Sequence, residues 1–287
     1  MALHDVIVRF GIVRSVCGAA IPFEARTDRA IAALLRPDRQ YRYPEAQQAG
    51  RRPVRNSQEQ SVAASPRSID RIMDLSVIIP TLNAVTTLPR TLAALGDRIE
   101  IIVVDGGSTD GTPDLATAHG ARVLTSARGR GTQFAAGIAA AGHPWLLLLH
   151  ADTVLSPHWR TALLVNATNA GYFRFVLDSP DPRARRLERM VAWRCRMFGL
   201  PYGDQGLLIH RDLLHAAGGM KAIPLMEDVD LVRRLGRARL VPLAADAITS
   251  ASKWEQQGYF RRSARNLLCL LLWFAGVPPG KIQRIYG

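Results

Sequence analysis

An α/β fold, with a mostly parallel sheet carrying helices on both faces, is what this sequence predicts. Three observations predict it. Short apolar runs rich in β-branched residues alternate with segments of helical spacing. The runs are apolar throughout, as strands buried on both faces are, rather than at every second residue. Each of the first four runs stops at a polar or glycine-rich cluster.

The elements follow in order. LSVIIP (75–80) reads as the first strand and 85–95 as a helix. IEIIVVD (99–105) is a second strand, and 112–119 a helix whose start is marked by Thr109 or Asp110. ARVLT (121–125), a helix over 132–141 and WLLLLH (145–150) complete four strands and three helices. The second half is less regular. GYFRFVL (171–177) is strand-like, 183–198 reads as a basic helix, and 206–210 as a short strand. Helices are expected over 211–217, Glu227–Leu235 and Tyr259–Phe274.

The region upstream of residue 73 has no sustained period. Residues 41–71 are rich in Arg, Gln, Ser and Pro, so 1–72 is expected to be a disordered or dispensable extension. Met73 then reads as the start of the patterned chain. A folded domain is expected over 73–255, and a helical C-terminal segment over 256–287.

The 287 residues are 48% hydrophobic and 21% charged, an ordinary globular balance. The formal net charge is +13, and nearly all the positive charge is Arg, because only Lys221, Lys253 and Lys281 are lysines. No recognisable binding module accompanies the charge, so no nucleic-acid partner is expected. Cys17, Cys195 and Cys269 are far apart and form no CxxC pair, which excludes a disulfide framework or a zinc site. A reducing, cytoplasmic location fits. No apolar run reaches the ~20 residues of a membrane span. Asp5, Arg9 and Arg14 interrupt the first apolar stretch, so no signal peptide is expected.

In open parallel sheets ligands sit beyond the carboxyl ends of the strands. That rule gathers four clusters: Pro80-Thr81-Leu82-Asn83, the DGGSTDGT of 105–112, the Arg-Gly loop 128–131, and His150-Ala151-Asp152. DGGSTDGT is not a dinucleotide fingerprint, since Asp105 and Asp110 would repel a pyrophosphate. It is either a tight turn with a helix cap or a ligand site. A carboxylate at a strand end suits a base N–H or a ribose hydroxyl, and Asp105 is the candidate. Arg128 and Arg130 with the glycines form either a solvated loop or a phosphate cradle. Asp152 either caps a helix near Ser156 or holds Mg²⁺ or Mn²⁺, which takes one or two carboxylates plus substrate phosphates. His150 is a second metal candidate or a spacer.

PLMEDVDL (224–231) places Glu227, Asp228 and Asp230 on the first turn of a helix. They are either favourable N-terminal charge or a base at a pocket. Before them, Asp204 and Gln205 in PYGDQG (201–206) suit an acceptor hydroxyl. Trp254 is either core or a stacking platform for a sugar or base. The basic helix, with Arg183, Arg185, Arg186, Arg189, Arg194 and Arg196, is either a solvated face or the contact to an anionic membrane surface.

The ordered set VIIPTLNA, IIVVDGGSTDGT, the Arg-Gly loop, LHADT, GDQG and MEDVDL resembles a family 2 glycosyltransferase of the GT-A, Rossmann-like fold. The likeness runs from Leu75 to about Trp254. The finer pattern RGRGTQ, LHADT and GDQG is similar to a small bacterial subgroup identified as arsenosugar-biosynthesis or selenodomain-associated transferases. Similar chains are identified as moving glucose to a carotenoid acid. The resemblance makes 73–255 a GT-A domain that uses a nucleotide-diphosphate sugar, UDP by family habit, and a small-molecule or lipid acceptor. It implies that Pro80, Thr81, Asn83 and Asp105 line the nucleoside pocket and that Arg130 approaches the diphosphate. His150-Ala151-Asp152 stands where the family keeps DxD, so Asp152 would hold the metal. Asp228 matches the catalytic base of an inverting transfer, beside Glu227. SKWEQQ only partly matches the QxxRW of processive members, which implies a single transfer.

Two other function classes compete. In a nucleotidyltransferase a glycine-rich loop directly follows the first strand, whereas PTLNA stands here. A non-catalytic donor-binding or lipid-surface protein is the reading that the missing first DxD aspartate suggests.

Overall fold

The computed structural model describes residues 74–286. Residues 1–73 lie outside them, and with them the expected extension and the reading of Met73 as a start. Eight strands form one sheet: β1 (Leu75–Thr81), β2 (Glu100–Asp105), β3 (Arg122–Thr125), β4 (Trp145–Leu148), β5 (Thr153–Leu155), β6 (Ala170–Asp178), β7 (Leu207–His210) and β8 (Leu240–Ser250). Their order across the sheet is β3-β2-β1-β4-β7-β6-β8-β5. β1 to β4 run parallel to one another, as the apolar runs predict. β7 is antiparallel to both β4 and β6, β6 is parallel to β8, and β5 is antiparallel to β8. The sheet is therefore mixed, with β5 and β7 reversed.

The helices are α1 (Leu88–Leu95), α2 (Thr112–Ala118), α3 (Arg130–Ala140), α4 (Pro182–Phe198), α5 (Arg211–Ala216), α6 (Glu227–Leu235), α7 (Ser252–Gln257), α8 (Tyr259–Phe274) and α9 (Pro279–Tyr286). A helix covers each face of the central strands, and this is why those strands are apolar throughout. On one face Val77, Ile79, Val103 and Leu147 pack with Leu88, Leu92 and Leu95 of α1. On the other, Ile78, Ile102, Val104, Leu146 and Leu148 pack with Phe134 of α3 and Leu231, Val232 and Leu235 of α6. Successive residues of one strand thus enter different cores, as a period of two requires.

Five elements differ from the sequence expectation. β8 carries no apolar run. Leu243, Ala245, Ala247 and Thr249 turn inward alternately, but Pro242 and the alanines hide a strand signal. β5 and a 3₁₀ turn at Trp159–Ala162 stand where a helix near Ser156 was expected. α1 begins at Leu88 rather than 85 because Thr86 and Thr87 belong to the preceding turn. α9 follows α8, which does not close the fold.

Residues 256–286 share a core with α6. Cys269 and Leu270 of α8 and Ile282 of α9 pack against Leu225, Met226 and Val229. The described residues all fall in one compact unit. No helix among them is long and apolar enough to cross a membrane.

α3 lies directly on β1 at Gly137, where an added Cβ would meet Ile78 Cγ2 at 2.3 Å and Val104 Cγ2 at 2.9 Å. Gly137→Ala is expected to destabilise the fold by about 1–3 kcal/mol through overpacking, read as a lowered urea midpoint. An unchanged midpoint would mean that α3 has room to move away.

Candidate active site

The carboxyl ends of β1 and β2 lie in register, with Thr81 opposite Asp105. Thr81 Oγ1 donates to Asp105 Oδ1 at 3.0 Å. The same oxygen accepts from Ser108 Oγ at 2.5 Å, and Oδ2 accepts from the N–H groups of Gly107 and Ser108 at 2.9 and 2.8 Å. Burial alone would raise the Asp105 pKa, but these bonds, led by Ser108, bring it below the ordinary value. The carboxylate is thus ionised and folds the glycine turn around itself. Asn83, exposed and at φ +50°, laces the neighbouring loop to it. Its Oδ1 accepts from Thr109 N–H at 2.9 Å, and its own N–H donates to Ser108 Oγ at 2.8 Å. Asp110 Oδ1 accepts from the Thr112 N–H at 3.1 Å, serving the start of α2. Pro80 is buried within β1.

A residue that the sequence reading missed ties these ends together. Gln133, on the inward side of α3 and 3% exposed, donates from Nε2 to both Thr81 O and Val104 O at 2.8 Å. Its Oε1 accepts from Gly129 N–H at 3.4 Å, bringing in the Arg-Gly loop. The available signal was an amide among the small and apolar residues of that helix face.

The loop itself needs glycine. A Cβ on Gly131 would stand 2.3 Å from the Lys221 carbonyl and 2.6 Å from that of Ile223. This close approach brings the segment before α6 onto the start of α3. Arg128 is exposed. The Arg130 side chain, 30% exposed, reaches the fully buried Glu227, with Nε 2.9 Å from Oε1. That contact lacks hydrogen-bond alignment, and the aligned one is Nη2 to Oε2 at 3.4 Å. Burial pushes Glu227 up to about 7 against the pull of Arg130, while Glu227 and Asp228 hold the Arg130 pKa above its ordinary value against burial.

Asp228 is partly exposed on the first turn of α6. Oδ2 accepts from Gly203 N–H at 2.7 Å and Oδ1 from Val229 N–H at 2.7 Å. It therefore anchors the 201–206 loop. That loop delivers Asp204 to His150, with Oδ1 2.8 Å from Nδ1. Burial opposes the charged form of both, but the shared bond prevails: the His150 pKa is raised and that of Asp204 lowered. His150 is thus not merely a spacer.

His150, Asp152 and Asp204 each offer one ligand atom within 4.8 Å of the others. Asp204, expected at the acceptor, is grouped instead with the two metal candidates. The two carboxylates supply oxygen ligands of the kind Mg²⁺ or Mn²⁺ takes, and the imidazole is the donor that suits Mg²⁺ least. Asp152 does not cap a helix, since β5 follows it. It pairs with Lys253 at 3.5 Å and borders a cavity of about 270 Å³ shared with Thr86, Thr87, Arg90, Asp178 and Ser250.

Two acceptor candidates are interior. Gln205 donates to Phe173 O at 3.0 Å and accepts from Arg194 at 3.2 Å. Trp254, 6% exposed, packs 6.2 Å from Phe175 and under Arg262. It offers no exposed stacking face.

The profile described as "Glycosyl transferase family 2" matches residues 76–223, more than half the chain. The chain belongs to this family. Membership favours a glycosyltransferase over the nucleotidyltransferase reading. The edge built by β1, β2 and β4, with metal-ligand candidates at its centre, is the GT-A arrangement. An uncharacterized glycosyltransferase of Mycobacterium tuberculosis is 39% identical over 79 residues, 27% of this chain and 36% of that protein. The succinoglycan biosynthesis protein ExoO of Rhizobium meliloti is 32% identical over 126 residues, 41% of this chain and 36% of its own length. The matched stretch thus spans about 36% of these curated relatives. A solved structure of glucosyl-3-phosphoglycerate synthase from Mycobacterium tuberculosis, with Mn²⁺, UDP-glucose and phosphoglyceric acid, aligns at a TM-score of 0.48 and 21% identity. That alignment covers 71% of this chain and 80% of the other.

Glu227 gives a pH prediction. Its folded pKa, about 7, lies above the ordinary 4.5, so its stabilising contribution is complete below the ordinary value and is lost as pH rises through about 7. Relative to Glu227→Gln, which does not titrate, the wild-type chain should lose about 1–3 kcal/mol across that window. Urea denaturation at both ends checks it, and a constant difference would return Glu227 to an ordinary pKa.

Proposed function

We propose that this glycosyltransferase is inverting and metal-assisted, and moves one sugar from a UDP-type donor to an acceptor hydroxyl or carboxyl. The observation that carries the reading is the gathering of Asp228, Arg130 and the His150–Asp152–Asp204 group at one edge of the sheet. The donor's nucleoside lies against Asn83 and the turn organised by Asp105, with Thr81 bracing that turn.

Asp228 accepts the acceptor proton, and the freed oxygen attacks the anomeric carbon. The bond from that carbon to the diphosphate oxygen breaks, and its electron pair leaves with the nucleotide. Gly203 N–H fixes one oxygen of the base at 2.7 Å. Arg130 and Arg128 meet the departing charge from the loop side, so no general acid is required. His150, Asp152 and Asp204 would hold a divalent ion, which when bound would further neutralise that charge. The motifs RGRGTQ, LHADT and GDQG favour the arsenosugar or selenodomain-associated subgroup and a small-molecule acceptor. A carotenoid-type acid remains the lipid counterpart.

A surface observation favours a peripheral place at the cytoplasmic face of the membrane. Met190, Trp193, Met197 and Phe198 of α4 are 50–59% exposed. They lie on the same helix as the exposed Arg185, Arg186, Arg189 and Arg196. Apolar and aromatic groups beside guanidiniums suit an anionic interface.

Asp228→Asn should retain UDP binding and lower acceptor-dependent UDP release at least ~10²-fold, measured with Mn²⁺ and extracts of native acceptors. Unchanged turnover would remove Asp228 from the role, and UDP release independent of acceptor would sink the transfer. Vesicles with anionic phosphatidylglycerol should sediment the chain in a salt-sensitive way, and Trp193→Ala with Arg189→Glu should abolish this. Equal sedimentation with neutral vesicles would refute the anionic contact.

A further inference from the structure

α8 carries two guanidiniums that meet no acidic side chain among the described residues. Arg262 is 6% exposed, and Arg265, nearly one turn on, is partly exposed. Buried charges are ordinarily paired. Their polar contacts among the described residues run to neutral oxygens: Arg262 donates to Gln257 Oε1 at 3.1 Å and to the Tyr286 hydroxyl at 3.5 Å, and Arg265 donates to the same Gln257 oxygen. Neither α8 nor α9 contains an acidic residue. Aromatic rings complete the surroundings, with Arg262 Cζ 4.7 Å from the Trp254 ring and both guanidiniums 6.0 Å from that of Tyr286.

The donors in this corner are also underused. Nε of Arg262, Nε of Arg265 and Nε1 of Trp254 are buried without a hydrogen-bond partner. Two guanidiniums nearly one turn apart, each with an unmet N–H, suit an oxyanion, because a carboxylate or phosphate accepts from several guanidinium N–H groups at once. A cation–π contact offsets part of the burial cost of Arg262, but it leaves those N–H groups unmet.

The corner borders the active site. α8 and α9 pack on α6, whose first turn carries Asp228. α7, which holds Trp254, is tied to the metal-ligand group through Lys253 and Asp152. The donor's diphosphate already has Arg130 and the His150–Asp152–Asp204 group on the sheet side. The second basic pair stands apart from these, on α8.

We propose that Arg262 and Arg265 form an oxyanion site for the acceptor: a carboxylate or phosphate on the acceptor binds at the guanidinium pair beside Trp254 and Tyr286, and turns a neighbouring hydroxyl toward Asp228. The proposal rests on Asp228 as the base. It narrows the acceptor to an anionic molecule that the partly exposed Arg265 meets first.

The test uses the full chain with inorganic phosphate and with glycolate, each against chloride at matched ionic strength, followed by thermal shift and calorimetry. At least one of the two oxyanions should stabilise the wild-type chain beyond chloride, and the stronger one names the acceptor's group. Arg265→Gln should weaken that oxyanion about 10- to 100-fold, the loss of a charge-assisted bond, and leave UDP affinity unchanged. Arg262→Lys, which keeps the charge but not the fork, should weaken it as well, and it serves if Arg265→Gln does not fold. No preference over chloride, or equal oxyanion binding by the variants, overturns the proposal. An equal loss of UDP affinity overturns it too, by assigning the pair to the donor diphosphate. Failure of the base is separable: Asp228→Asn with full turnover removes the base, while oxyanion binding is read without turnover.

Discussion

Much of the site depends on one buried amide. Gln133 Nε2 donates to Thr81 O, the last carbonyl of β1, and to Val104 O, one residue before the end of the adjacent parallel β2, and Oε1 receives the Gly129 N–H. Thr81 O also accepts from the Gly106 N–H at 2.9 Å, so the amide adds a second bond there. One helix side chain thereby ties the ends of both strands to the start of α3. The Asp105 turn and the Arg-Gly loop take their positions from that point. The same helix starts where Gly131 admits the 221–223 segment, so the approach of α6 is fixed by the same element.

From this frame, charge is arranged in unlike pairs that cross long stretches of chain. Arg130 meets Glu227 across the gap between α3 and α6, and His150 meets Asp204 across that between β4 and the 201–206 loop. Asp228 holds the latter loop by its Gly203 N–H. The residue assigned as base and the acid beside His150 are therefore mechanically linked through one turn. Asp230, on the same helix turn, is engaged elsewhere by Lys221 and Arg234 at 2.8 and 2.7 Å. Of three acids on that first turn, one is buried against Arg130, one neutralised by two cations, and only Asp228 is partly exposed with neutral N–H partners.

The first half of the fold was legible because its strands are buried on both faces and so announce themselves as unbroken apolar runs. The bounds of α6 were legible for a different reason: three acids mark its start and Gly236 its end. β8 was not, since Ala245 and Ala247 turn inward in an alternation too weakly hydrophobic to stand out. Asp105, His150 and Asp152 could be read at strand ends from local pattern. The place of Asp204 could not, because nothing within a few residues reveals that its loop folds back onto β4. Burial of Trp254 and Gln205 was equally hidden, since each is covered by α4, α8 or β6, elements distant in sequence.

The two arginine sets show what burial asks of a positive charge. Arg130 is met from within the chain by Glu227, an acid that burial pushes up to about 7, so its counter-charge is complete only above that pH. Arg262 and Arg265 are answered only by an amide oxygen, a phenol and aromatic rings. Such neighbours orient a guanidinium but do not neutralise it. A fold that supplied one set with an acid and left the other with neutral partners has separated a charge needed in the resting protein from a charge kept for a ligand.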